Sequence, residues 1–230
     1  MLGHVSVDGR RVPSAAAASL LAYLVVHGPG PVMRDQAAFA LWPDRDEGKA
    51  RRTLSDTVYR MRAMFADGAA WLVASGDRLT LEHPNIDLWR LRDLANHDDV
   101  ESLAAAIGLH LGPLADGVDD SWVDFPRRAH EEVVLGLCER VCASLPPSQR
   151  LPVARRWVEI DLYGTQSHHC LIETLLALDR RDAARRAIDD YRAVLDDLGF
   201  VDAEVDRWAA LTADDDVAEV PFVGDRKSVV

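Results

Sequence analysis

Residues 49–65, KARRTLSDTVYRMRAMF, set five cations (Lys49, Arg51, Arg52, Arg60 and Arg62) against one anion, Asp56, in a chain whose formal net charge is −12. At 100° per residue, Ala50, Leu54, Val58, Met61 and Phe65 fall within an arc of roughly 80°, which predicts a buried helical stripe. The opposite face then centres on Arg52, Asp56, Tyr59 and Ala63. Lys49 and Arg60 flank it on one side, and Arg51, Ser55 and Arg62 on the other.

The surroundings of this helix give it a context. On its N-terminal side, MRDQAAFALW predicts a short helix ended by Pro43, with Phe39, Leu41 and Trp42 in the core. Before that, Ser14 is placed to cap a helix through AAAASLLAYLVVH, buried along Leu20, Leu21, Leu24 and Val25 and stopped by GPGP. LGHVSVDGRRVP alternates apolar and polar residues around Asp8-Gly9, the signature of a tight hairpin. After the cationic helix, WLVASGDRLTL forms two short apolar runs around Ser75-Gly76-Asp77, a second hairpin. Two helices, a cationic helix and a hairpin follow one another in the order of a winged helix-turn-helix.

Beyond Asp87 the pattern is helical, with breaks at LGPLADGVDD, LPPSQ and LYGTQ. Helices are expected near 91–110, 122–145, 149–161, 166–178, 181–198 and 202–211. Their spacing predicts stacked helical hairpins of the tetratricopeptide kind, although no clean 34-residue period is visible. The fold class read from the chain is mainly α. It comprises a winged helix with small antiparallel hairpins over residues 1–86, an all-α tetratricopeptide-like domain over 87–211, and a disordered tail over 212–230.

Charge divides along the same line. Residues 1–86 carry 10 Lys and Arg against 9 Asp and Glu, while residues 87–230 carry 16 against 29. An acidic body opposes nonspecific contact with nucleic acid or anionic membranes, yet a cationic patch still acts within a Debye length of about 10 Å. No apolar run of about 18 residues is present to span a bilayer. AAAASLLAYLVV lacks the flanks of a signal peptide, so a cytoplasmic location is expected.

These segments together resemble the bacterial antibiotic regulatory proteins called SARPs, which join an OmpR-like winged helix to a helical bacterial transcriptional activator domain. The resemblance spans about residues 2–211. It rests on ALWPDRDEGKARRTLSDTVYRMRAMF, the wing WLVASGDRLTL, the junction NIDLWRL, LGPLADGVDDSWVDFPRRAHEE, and DLYGTQSHHCLIETLLALDRRDAARRAIDDYRAVLDDLGF. It implies a transcription factor, more often an activator, whose helix carrying Arg52 enters the major groove of double-stranded DNA and whose hairpin serves as a wing. It also implies that the second domain mediates homodimerisation or contacts RNA polymerase or a sigma factor, with no cofactor. Asp56, an acidic residue at the centre of the exposed face, departs from what a DNA-facing helix favours.

Geometry assigns provisional roles along the helix. Arg52, Ser55, Asp56 and Tyr59 are best aimed at base edges, because arginine pairs bidentately with guanine and a carboxylate accepts from cytosine. Lys49, Arg51, Arg60 and Arg62 suit phosphates, and Arg78, leaving the wing turn, suits a phosphate or the minor groove. The competing reading is a solvated surface ladder, since Arg52, Asp56 and Arg60 are spaced i, i+4, i+8. The alternative function is a protein-interaction module whose winged helix has lost DNA binding.

Other chemistry has little support. No G-x-S-x-G elbow, P-loop or G-x-G-x-x-G occurs, so no catalytic residue is assigned. Cys138, Cys142, His168, His169 and Cys170 match no common zinc spacing, and the first two sit among Val134, Leu137 and Val141 as buried thiols, so no metal ligand is assigned. Trp42, Trp89, Trp122, Trp157 and Trp208 fall beside helical apolar positions and are expected to pack. Trp89 and Trp122 are expected to join the winged helix to the helices that follow.

Overall fold

The computed structural model describes residues 1–65, 67, 69–82 and 85–213. The expected tail of 212–230 therefore falls, from residue 214 onward, outside the described residues. The chain is mainly helical and forms two compact units, Met1–Leu145 and Pro146–Val230.

The first unit opens with a hairpin of β1 (Ser6–Val7) and β2 (Arg10–Arg11), paired antiparallel with Ser6 opposite Arg11. Asp8 at φ 49° and Gly9 at φ 74° make its turn. Two successive positive φ values match the twist of the flanking strands, which is why Asp-Gly is read as a hairpin in advance. α1 (Ala15–His27) follows, and Ser14 caps it by accepting from the Ala17 N–H. The helix is buried from Ala17 to Val25 and lies at the centre of the unit.

β3 (Val32–Met33) then leads directly into α2 (Arg34–Leu41). This short strand ends at Met33, which the sequence pattern places instead at the start of the helix. It pairs with β5 (Arg78–Leu81), which also pairs with β4 (Leu72–Ser75), giving a three-stranded antiparallel sheet in the order β3-β5-β4. α3 (Glu47–Met64) runs between α2 and the β4–β5 hairpin. Helix, helix, helix and paired strands form the winged helix expected for this part of the chain.

Phe39 does not belong to the core. It is 75% exposed, while Leu41 is buried and Trp42 half-buried. An eight-residue helix supports only one buried face, here Ala37, Ala38 and Leu41, and Phe39 lies off it.

α4 (Asp87–Ala95), α5 (Val100–Leu109) and α6 (Asp124–Ser144) complete the first unit. The single helix expected over 91–110 is two helices. Asp99 breaks the run by taking an extended conformation and accepting the Ser102 N–H at 2.7 Å, which caps α5. As expected of the two tryptophans, both reach α1. Trp89 Nε1 donates to the Val25 carbonyl at 2.8 Å, and Trp122 stands edge-on to Tyr23 with ring centroids 5.1 Å apart.

The second unit consists of α7 (Pro147–Ile160), α8 (Thr165–Ala177), α9 (Arg181–Leu198) and α10 (Ala203–Thr212), each packed on the next. Short turns between consecutive helices make them the stacked hairpins of a tetratricopeptide-like array. Ile172, Ile188, Tyr191, Leu195 and Trp208 dominate the shared core. Cys138 and Cys142 are buried in α6, and Cys170 is half-buried in α8. Among the described residues no helix is long and apolar enough to cross a membrane.

Candidate nucleic-acid interface

α3 is fixed at its start by Asp46, whose carboxylate accepts the Lys49 N–H at 2.9 Å and pairs with Lys49 Nζ at 2.9 Å. These bonds hold the Asp46 carboxyl below its ordinary range. Ala50, Leu54, Thr57, Val58 and Met61 are buried, so the stripe read from the sequence faces inward with Thr57 added. Thr57 satisfies its hydroxyl by donating to the Thr53 carbonyl at 2.7 Å. Phe65 leaves the helix as its C-cap and is half-buried, its ring edge-on to Trp71 at 5.3 Å.

Arg52, Ser55, Asp56, Tyr59 and Arg60 are exposed on the opposite face. Tyr59 is 76% exposed, unusual for a large aromatic side chain. No ion pair joins Arg52, Asp56 and Arg60 to one another among the described residues, so the surface ladder does not form. The geometry permits it, but such an exposed pair is worth only a few tenths of a kcal/mol and must order two side chains.

The remaining candidates are divided by their partners. Arg51 donates from Nε and Nη2 to the two carboxylate oxygens of Asp35, each at 2.7 Å, and Nη2 also lies 2.7 Å from Glu47 Oε1. The Arg51 hydrogen bonds hold Asp35 below the usual carboxylate range, and the same contact raises the Arg51 pKa. Arg62 Nη2 donates to the Leu72 carbonyl at 2.9 Å, tying the end of α3 to β4. Both side chains hold the winged helix together.

Two cations that the sequence reading did not select stand beside the same face. Arg34, the first residue of α2, donates from Nη2 to Ser55 Oγ at 2.9 Å, and its backbone N–H donates to the Asp77 carbonyl in the wing turn at 2.8 Å. Ser55 Oγ meanwhile donates to the Arg51 carbonyl at 3.0 Å, so its hydroxyl is engaged on both sides. Arg45, in the loop before α3, donates to Thr53 Oγ1 at 2.8 Å. Helical periodicity does not reveal these residues, because their partners lie on other elements. Arg78 begins β5 next to the wing turn, with its Nε 3.9 Å from Asp77 Oδ1, a loose contact on the surface.

The arrangement presents a helix face with guanidinium, carboxylate and phenol groups directed outward, braced by α2 and flanked by a hairpin. A helix of this kind fits the major groove, where Arg52 has the fork to pair with guanine and Asp56 can accept from a cytosine amino group.

The chain is similar to a solved structure of Mycobacterium tuberculosis EmbR in complex with a low affinity phosphopeptide. The identity is 24% and the TM-score 0.57, over 92% of this chain and 62% of that one. No protein-family model matches the chain, and no curated protein matches it. The chain spans less than two thirds of the EmbR chain, and the likeness shows a shared fold, a winged helix with a helical region.

Proposed function

We propose that this protein is a sequence-specific DNA-binding transcriptional regulator of the SARP type, an activator acting in the cytoplasm without a cofactor. The observation that carries this reading is the outward face of α3, where Arg52, Asp56, Tyr59 and Arg60 are exposed beside a braced wing and, among the described residues, form no ion pair with one another. Guanidinium, carboxylate and phenol groups on one exposed helix face are the donors and acceptors that phosphates and base edges take.

In this proposal residues 1–86 read DNA and residues 87–211 form the activator domain. Residues 49–65 enter the major groove, and residues 71–81 act as the wing. Arg52 and Asp56 read base edges with Tyr59. Lys49, Arg60 and Arg78 contact phosphates. Arg34 joins them from α2. The protein binds repeated half-sites as a homodimer and engages RNA polymerase or a sigma factor.

A second reading has its own support: Arg51 and Arg62 are committed to internal contacts, which lowers the cationic charge free for phosphate and favours an interaction module. Binding-site selection on random duplexes with the full chain, followed by titration of the selected site against salt, separates the two. A DNA regulator enriches one motif, and its log affinity falls steeply with log salt in proportion to the phosphates neutralised. A folded sample that enriches no motif at low salt supports the interaction module.

A further inference from the structure

The second unit carries an apolar lip at one end of its helical array. Leu162 and Tyr163 occupy the α7–α8 turn, Leu198 ends α9, and Phe200 and Val201 occupy the α9–α10 turn. A chain of contacts holds the two turns at the same end. His168 Nε2 lies 2.8 Å from the Leu162 carbonyl, and its ring stacks on Tyr191 with centroids 4.7 Å apart. The Tyr191 hydroxyl donates to Asp202 Oδ2 at 2.8 Å, and His169 Nε2 meets the same oxygen at 2.5 Å.

Local backbone geometry explains why the lip points outward. Gly199 closes α9 in the left-handed region at φ 69°, and the Phe200 N–H returns to the Leu195 carbonyl at 2.9 Å. In this helix ending the residue after the glycine commonly folds back onto the last turn. Leu195 is buried, but Phe200 is 66% exposed and Val201 97% exposed. Two consecutive large apolar side chains are thereby held largely exposed by a well-bonded turn, which costs apolar burial among the described residues.

The only charged residues in the two turns that form the lip are acidic. Residues 159–163 and 196–204 include Glu159, Asp161, Asp196, Asp197, Asp202 and Glu204 and no lysine or arginine. Arg156 pairs with Glu159, Arg207 with Glu204 and His169 with Asp202. Asp161, Asp196 and Asp197 have no ion pair among the described residues.

We infer that this lip is a docking surface for a basic amphipathic helix of a partner protein, which sets apolar side chains against Phe200, Val201 and Leu162 and cations against Asp196, Asp197 and Asp161. An apolar anchor with a complementary charged rim is the arrangement by which helical segments are selected and oriented. A second copy meeting the first lip-to-lip would bring like charges together, and DNA or an anionic bilayer would be repelled. The inference does not depend on DNA binding by α3.

The test uses the full chain and a fluorescent lysine–leucine amphipathic peptide of about four helical turns. Two control peptides carry glutamate for every lysine or serine for every leucine. Binding of the lysine–leucine peptide that weakens with salt, at least about tenfold tighter than either control, is expected. The surface-exposed double variants Phe200→Ser with Val201→Ser, and Asp196→Asn with Asp197→Asn, should each lose about tenfold or more, with circular dichroism unchanged. Glu131→Gln with Glu132→Gln, on exposed positions of α6, should bind as the parent does. Absence of binding, parental affinity in both lip variants, or equal binding of the serine peptide overturns the inference. A self-association of the parent chain that disappears in the Phe200 and Val201 variant assigns the lip to a second copy and overturns it as well.

Discussion

Arg51 of α3 and Asp35 of α2 meet through two parallel hydrogen bonds of 2.7 Å, a planar fork against a carboxylate. This pairing orients as well as attracts, because both groups must be coplanar to keep both bonds. It joins the proposed reading helix to the helix that supports it. Arg51 thus has the composition of a phosphate contact and the geometry of a brace. The two roles make opposite predictions for Asp35→Asn. As a brace, Asp35→Asn and Arg51→Gln each weaken binding to a selected DNA site, the double variant is no worse than the weaker single, and the salt slope stays constant. If Arg51 is instead a phosphate contact held back by Asp35, Asp35→Asn strengthens binding and Arg51→Gln lowers the slope by about one. Fluorescence anisotropy across a salt series decides between them.

Arg52 and Arg60 lie on the same exposed face without an ion pair linking them through Asp56, so their effects should separate cleanly. Arg52→Ala is expected to cost roughly 1–3 kcal/mol on the selected site with little change on random DNA. Arg60→Ala should weaken both and lower the salt slope by about one. Asp56→Asn should tighten random-sequence binding, because it removes an anion from a phosphate-facing helix. Identical losses on selected and random duplexes for both arginine variants would end the division of roles, and an inert Asp56→Asn would place the helix away from DNA.

Local sequence chemistry reveals most of the fold and only part of the site. Asp8-Gly9, Ser14 and the Ala50–Met61 stripe specify their structures within a few residues, and each forms as read. The break between α4 and α5 hides in HDD, where Asp99 resembles one more surface charge on a helix until its carboxylate caps the next one. Phe39 misleads because apolar character does not say on which side of a short helix a residue falls. In the site, the helical wheel separates inside from outside but is blind to partners on other elements. Arg51 finds Asp35 across 16 residues, and Arg34 finds Ser55 across 21. Tertiary pairing of this kind has no periodic signature in the chain.

Gly28 and Trp89 test the packing of α4 on α1. A Cβ added at Gly28 would lie 2.3 Å from Trp89 Cζ2, deep inside contact distance, while the indole is held by its bond to the Val25 carbonyl. Gly28→Ala should therefore displace the ring and cost about 1–3 kcal/mol, the usual range for overpacking. Trp89→Leu removes the obstructing ring together with its hydrogen bond. In that background Gly28→Ala should cost much less, giving a strongly non-additive cycle in chemical denaturation. Equal costs in both backgrounds would mean that the ring is not what excludes the methyl group.

His130 gives the first unit a predictable acid sensitivity. It is buried in α6 with Nε2 3.1 Å from His110 Nδ1. Burial first, then the charges of His110 and Arg92, push its pKa down to about 4, with Asp87 opposing. The unfolded chain titrates near the ordinary 6.5, so between about 6.5 and about 4 it binds a proton that the folded chain refuses. Stability from this group is present above 6.5, declines as pH falls through that window, and reaches its floor below about 4. The full difference corresponds to roughly 2–4 kcal/mol. Carboxylates also titrate at the acid end, so the comparison is between the parent and His130→Gln. Denaturation midpoints measured from pH 7 to pH 4.5 should fall more steeply for the parent, the gap between the two narrowing or reversing toward acid. Parallel curves would mean that His130 accepts its proton in the folded protein at little cost, and that the paired imidazoles are not its source of acid lability.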